Sequence, residues 1–132
     1  MIETAPRSDE PASGATHDAI AARLQSYIDA ARTGDGARMR NTFLETAHIR
    51  GSYGGKPVAW TVSDFCDVID KGGPAADLTS RIVTIDHSGT AAMARVEAEN
   101  WRGTRYTDFF VLLEIDTDWR IASKVFFAHS RA

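Results

Sequence analysis

An acid and a base near the C-terminus are the residues best placed to do chemistry. Asp108 lies in a β-branched and aromatic run, Arg105 to Ile115, and Lys124 lies in the run Trp119 to His129. Asp116-Thr117-Asp118 separates the two runs and predicts a hairpin. If Ile115 faces Trp119, then Leu113 faces Ile121, Phe110 faces Lys124 and Asp108 faces Phe126. Asp108 and Lys124 are then diagonal neighbours on one sheet face, roughly 7–8 Å apart at Cα. An ion pair flanked by Tyr106, Phe110 and Phe126 is expected there. In an apolar setting the carboxylate can act as a general base, and the ammonium can steady a developing oxyanion. The competing reading is a structural salt bridge. A slip of one residue in the pairing would send both groups to the opposite face.

His48 is the second acid/base candidate, because its imidazole titrates near neutral pH. It shares a short extended segment, Ala47 to Tyr53, with Tyr53, and both are expected near a cavity mouth. Tyr27, Phe43, Trp60 and Phe65, with Met39, form a set of candidate walls for a flat ligand. Met39 and Phe43 read better as core. Trp60 is more open, since it precedes a helix cap and follows the turn Gly54-Gly55-Lys56-Pro57. That glycine pair is no phosphate loop, because it lacks the strand-then-helix context. Cys66 reads as a small buried hydrophobe, and Trp119 as core.

These residues need elements to hold them. Ile20, Leu24, Tyr27, Ile28 and Ala31 recur at helical spacing after Thr16, a candidate N-cap, and Gly34 ends that helix. Asp35 can cap a second, short helix with Met39, Thr42 and Phe43 facing inward. Val58 to Trp60 returns from the Gly-rich turn. Thr61 or Ser63 then caps a third helix bearing Val62, Phe65, Cys66 and Ile69. Gly72-Gly73-Pro74 stops it. From Leu78 the period changes to that of strands: Leu78 to Asp86, Ala91 to Trp101, Arg105 to Ile115 and Trp119 to His129 form an antiparallel meander. Helices followed by such a sheet predict an α+β fold, a cone of N-terminal helices packed on a curved antiparallel sheet. Ala92, Ala94 and Ala98 share one strand face. Turned inward they leave room for a ligand; turned outward they permit close sheet-to-sheet packing.

The chain has 132 residues, which suits one domain over residues 16–132 after a flexible tail over residues 1–15. Apolar residues make up 43% and charged residues 25%, so a wholly disordered chain is excluded. Fifteen basic and eighteen acidic residues give a net charge of -3, which supplies no basic surface for nucleic acid or an anionic membrane. One cysteine and four scattered histidines (His17, His48, His87, His129) form no zinc pattern. No metal and no cofactor are expected. The lone thiol and the lack of a signal peptide or long apolar run predict a cytoplasmic protein.

Three segments carry a family resemblance: residues 20–35 (IAARLQSYIDAARTGD) with Met39 and Phe43, residues 51–69 (GSYGGKPVAWTVSDFCDVI), and residues 106–127 (YTDFFVLLEIDTDWRIASKVFF). Together they resemble the nuclear transport factor 2-like superfamily, the cystatin-like α+β cone shared with SnoaL-type cyclases and ketosteroid isomerases. Within it, the chain is most similar to the small bacterial proteins called putative lumazine-binding. The resemblance implies the cone fold and a homodimer built through the sheet. It implies no fixed activity, because the superfamily holds enzymes, binding modules and assembly domains. Dehydratases of the superfamily use His with Asp, which points to His48 and Asp108. Its isomerases need an additional apolar-facing acid, which is missing here. Three readings follow. The first is a small-molecule binding protein with an apolar cavity, walled by Tyr27, Phe43, Tyr53, Trp60, Phe65 and Lys124, for a flat aromatic or heterocyclic ligand. The second is a cofactor-independent isomerase, cyclase or dehydratase using Asp108 and His48. The third is a dimerisation module without a ligand.

Overall fold

The computed structural model describes the backbone of residues 4–129 and the side chains of residues 14–129. The first helix, α1 (Thr4–Thr33), begins before Thr16, so Thr16 is interior rather than a cap. The expected tail over residues 1–15 falls mostly on residues outside those with described side chains. Over the remainder the helical stripe is as read: Ile20, Leu24, Tyr27, Ile28 and Ala31 are all buried. On the polar side of the helix, Arg23 donates to the Trp119 carbonyl at 2.7 Å and to Asp118 at 2.6 Å, tying α1 to the last hairpin.

Asp35 caps the short α2 (Gly36–Arg40) by accepting from the Arg38 N–H at 3.0 Å. This helix ends sooner than expected, and Phe43 opens strand β1 (Phe43–Tyr53) instead of continuing it. The strand is therefore longer than the predicted Ala47–Tyr53. A β-branched and aromatic composition around Thr42 and Phe43 favours extended backbone over helix. Gly54 and Gly55, both at positive φ, turn β1 into β2 (Lys56–Thr61). Thr61 caps α3 (Val62–Gly72) by accepting from the Asp64 N–H. Its Val62, Phe65, Cys66 and Ile69 are buried as the spacing requires. Burial pushes the Cys66 thiol up to about 11, so it stays protonated and inert.

The meander follows as β3 (Thr79–Ser88), β4 (Ala91–Trp101), β5 (Thr104–Ile115) and β6 (Asp118–Ala128). Six strands form one sheet in the order β2-β1-β6-β5-β4-β3. All neighbours are antiparallel except β1 and β6, which pair in parallel. The fold is therefore the expected α+β cone of helices on a curved, mainly antiparallel sheet.

The last hairpin departs from the expected pairing at its turn. Asp116 and Thr117 take left-handed backbone, with φ of 51° and 63°, and form a two-residue turn. Ile115 thus faces Asp118 and Leu113 faces Arg120. A bulge between Val111 and Leu112 then shifts the register by one residue. Beyond it Phe110 faces Lys124 and Asp108 faces Phe126, as the sequence reading has them. The error at the turn and the unforeseen bulge cancel.

On β4 the alanines point inward: Ala92, Ala94 and Ala98 are all buried. They join the hydrophobic core there as small side chains. Gly51 on β1 leaves room for Phe126 of β6, because a Cβ at that position would collide with the backbone and ring of that residue.

Candidate functional site

A cavity of about 240 Å³ opens between α3, the β1–β2 hairpin, the β4–β5 turn and β6. That is below the roughly 300–1,000 Å³ of drug-sized ligand sites, so it suits a small compound. Aromatic side chains form most of its wall. Trp60 stacks on Phe65 at 5.7 Å and on Phe126 at 6.1 Å between ring centroids. Tyr53 stacks on Tyr106 at 6.4 Å, and Trp101 meets Tyr106 edge-on at 5.5 Å. Tyr53 is half exposed and stands at the mouth. Arg102, in the β4–β5 turn, donates to the carbonyls of Gly72 and Gly73 and so ties that turn to the end of α3.

Lys124 lines the same cavity and is only 3% exposed. Its Nζ donates to the Tyr27 hydroxyl at 2.5 Å. It also lies over the rings of Phe65, Tyr27, Phe126 and Trp101, 4.5 to 5.5 Å from their centroids. Asp108 is fully buried on the same sheet face, and neither of its carboxyl oxygens has a hydrogen-bond partner. The expected Asp108–Lys124 ion pair is therefore corrected. The two groups share a face, but no contact within 4.0 Å joins them. The lysine reaches Tyr27 on α1 instead.

Burial sets the protonation states. It pushes the Asp108 carboxyl up, against the opposing charge of Lys124 and with the help of Glu97. It pushes the Lys124 amine down, against Asp108. It pushes the Tyr27 hydroxyl up, with Asp108 and Tyr106 adding to the effect. The four rings favour an ammonium by about 0.5–2 kcal/mol, while stripping it of water costs several kcal/mol. Desolvation is the largest cause of both shifts, so burial favours the neutral acid over the carboxylate and the free amine over the ammonium.

Of the other expected site residues, Tyr53, Trp60 and Phe65 line the cavity. Tyr27 reaches it through Lys124. Phe43 does not: it packs edge-on against Tyr27 and Phe65 in the core behind. His48 is a further correction. It is exposed, while its neighbours Ala47 and Ile49 are buried, so strand alternation turns it to the outer face, away from Asp108. The sequence reading missed Trp101, Arg102 and Thr104 as cavity residues. The signal for them is the two-residue turn Arg102-Gly103, which pairs Trp101 with Thr104.

The outer sheet face carries its own polar cluster. Glu97, though buried, accepts from Arg95 at 2.8 Å, from Arg105 at 2.9 Å and from Thr107 at 2.8 Å. Burial alone would raise its carboxyl, but the hydrogen bonds from Arg95 and Thr107 and the two guanidinium charges hold it below the usual range. Among the described residues, no three His, Cys, Asp or Glu side chains gather as a metal site. No helix among them is long and apolar enough to cross a membrane.

The comparisons with known proteins agree with the fold. An NTF2-like protein of unknown function from Methylobacillus flagellatus is 40% identical, covers 87% of this chain and 93% of its own, and superposes with a TM-score of 0.83. A second NTF2-like protein of unknown function, from Shewanella baltica, is 32% identical over 87% of this chain and 94% of its own, with a TM-score of 0.82. Among curated proteins, Aldolase FrzH from a Cladobotryum species is 28% identical over 116 residues, which span 87% of this chain and 93% of that protein. The family model described as putative lumazine-binding matches residues 15–127. The chain belongs to the putative lumazine-binding family of the nuclear transport factor 2-like superfamily.

Proposed function

We propose that the chain binds a small, flat, largely apolar carbonyl compound in the aromatic cavity and acts on it without a cofactor. The observation that carries this reading is the Lys124 amine, buried in the cavity wall and paired with a tyrosine hydroxyl rather than a carboxylate. A buried lysine with no acid in contact is costly to keep for stability alone, and perturbed groups in a cleft mark functional sites. Stacked rings at Trp60, Phe65 and Phe126 suit a planar ligand. The relative named an aldolase adds support, because aldol chemistry runs through a carbonyl group. His48 has no part in this reading. Trp60→Ala is expected to weaken binding of a small aromatic ketone or aldehyde by more than about fivefold, the loss of a pocket anchor of over ~1 kcal/mol. Calorimetric titration of both proteins measures this, and unchanged affinity removes Trp60 from the site.

The outer sheet face supports a second part of the reading, a homodimer. Met93, Phe109, Val111, Leu113, Val125 and Phe127 lie 37–55% exposed on it, next to the Glu97 cluster. Such an apolar face is expected to be covered by a second copy of the chain. Sedimentation should report a dimer, and Phe109→Glu should shift it to monomer. A monomeric parent protein would remove this part of the reading while leaving the cavity untouched.

A further inference from the structure

We propose that Lys124 is a nucleophile, whose Nζ attacks the carbonyl carbon of an aldehyde or ketone held in the aromatic cavity and forms an imine with it. The inference deepens the proposed function and rests on its reading of the cavity as a carbonyl site. Three observations carry it. Lys124 lines the cavity, and its Nζ lies 4.5 to 5.5 Å from the ring centroids of Phe65, Trp101 and Phe126, which line it too. It belongs to β6, an interior strand hydrogen-bonded on both sides by β1 and β5, so its base is rigid. Its polar partner is the Tyr27 hydroxyl, to which Nζ donates, so a group able to pass a proton sits beside the amine.

The step balances without an oxidant or a reductant. The nitrogen lone pair forms the C–N bond as the carbonyl π pair moves to oxygen. The two protons of the amine pass to that oxygen, with Tyr27 as relay, and the oxygen leaves as water. A C=N bond remains. Asp108, a buried acid with no hydrogen-bond partner, is the group on the same face that can protonate the imine and then balance its positive charge. Attack requires the free amine, and burial favours that form of Lys124. In the imine, the carbon next to the former carbonyl becomes acidic enough to lose a proton, which opens the route to carbon–carbon bond formation.

The chain has three lysines, and Lys56 and Lys71 are exposed, so the reaction can be mapped residue by residue. The full chain is treated with benzaldehyde and cyanoborohydride at pH 7, and benzylated lysines are located by peptide mass mapping. Binding of benzyl alcohol, which has no carbonyl, is measured in parallel by calorimetry. Lys124 is expected to be labelled at least tenfold faster than Lys56 and Lys71, and excess benzyl alcohol should slow it selectively. The wild-type map suffices, so the test does not depend on a Lys124 variant folding. Labelling confined to Lys56, Lys71 and the N-terminus while benzyl alcohol binds overturns the imine but leaves the ligand cavity standing. No binding of either compound, together with an unlabelled Lys124, overturns both.

Discussion

Replacing Asp108 with Val and Lys124 with Met in one protein is expected to raise its stability by about 1–4 kcal/mol, while ending imine formation. Both groups are buried, they do not touch, and neither Asp108 oxygen is hydrogen-bonded. The folded state therefore carries two desolvation penalties with little attraction to offset them. Val and Met fit the vacated shapes and suit strands β5 and β6. Chemical denaturation of the parent and the double variant gives the difference. A loss of several kcal/mol instead would mean that the acid and the amine support the fold, and that the cluster is structural. A gain accompanied by lost chemistry is the pattern of a site kept for function against stability.

Phe110→Ala is expected to cost about 3–5 kcal/mol, and Phe109→Ala in the isolated protomer close to nothing. The two residues are adjacent in sequence and alternate across the sheet. Phe110 is 1% exposed and meets the Tyr27 ring edge-on at 5.0 Å; Phe109 is 48% exposed on the outer face. Truncating Phe110 also removes the wall that holds Tyr27 against Lys124, so the lysine should react more slowly in this variant. Thermal or denaturant unfolding of both variants, at protein concentrations low enough to hold the protomer apart, checks the contrast. Equal losses would contradict the assigned faces of β5.

That Phe109 and Phe110 lie on opposite faces was legible in the sequence, because strand alternation needs only the order of side chains. Successive side chains from Tyr106 to Leu112 point to opposite faces, which groups Asp108 with Phe110, and the pairing of Phe110 with Lys124 and Asp108 with Phe126 follows from the hairpin. The stripe of α1 and the Thr61 cap of α3 were legible for the same reason: both are local patterns. The bulge at Val111–Leu112 was not, because a bulge is a choice the sheet makes to keep its curvature and inner face. The end of α2 before Phe43 was also missed, because the spacing of Met39, Thr42 and Phe43 fits a helix face although Thr42 and Phe43 favour extended backbone.

By itself, then, the sequence determined the α+β class, the element order, and the placing of Asp108 and Lys124 on one face. Short-range periodicity carries each of these. Only the tertiary structure decided that the alanines of β4 face inward and His48 outward, and that Lys124 reaches Tyr27 across the core instead of pairing with Asp108. These depend on which sheet face receives α1 and on a contact between residues 97 positions apart. A one-dimensional pattern specifies that a strand has two faces; packing against the helices selects which of them becomes the interior.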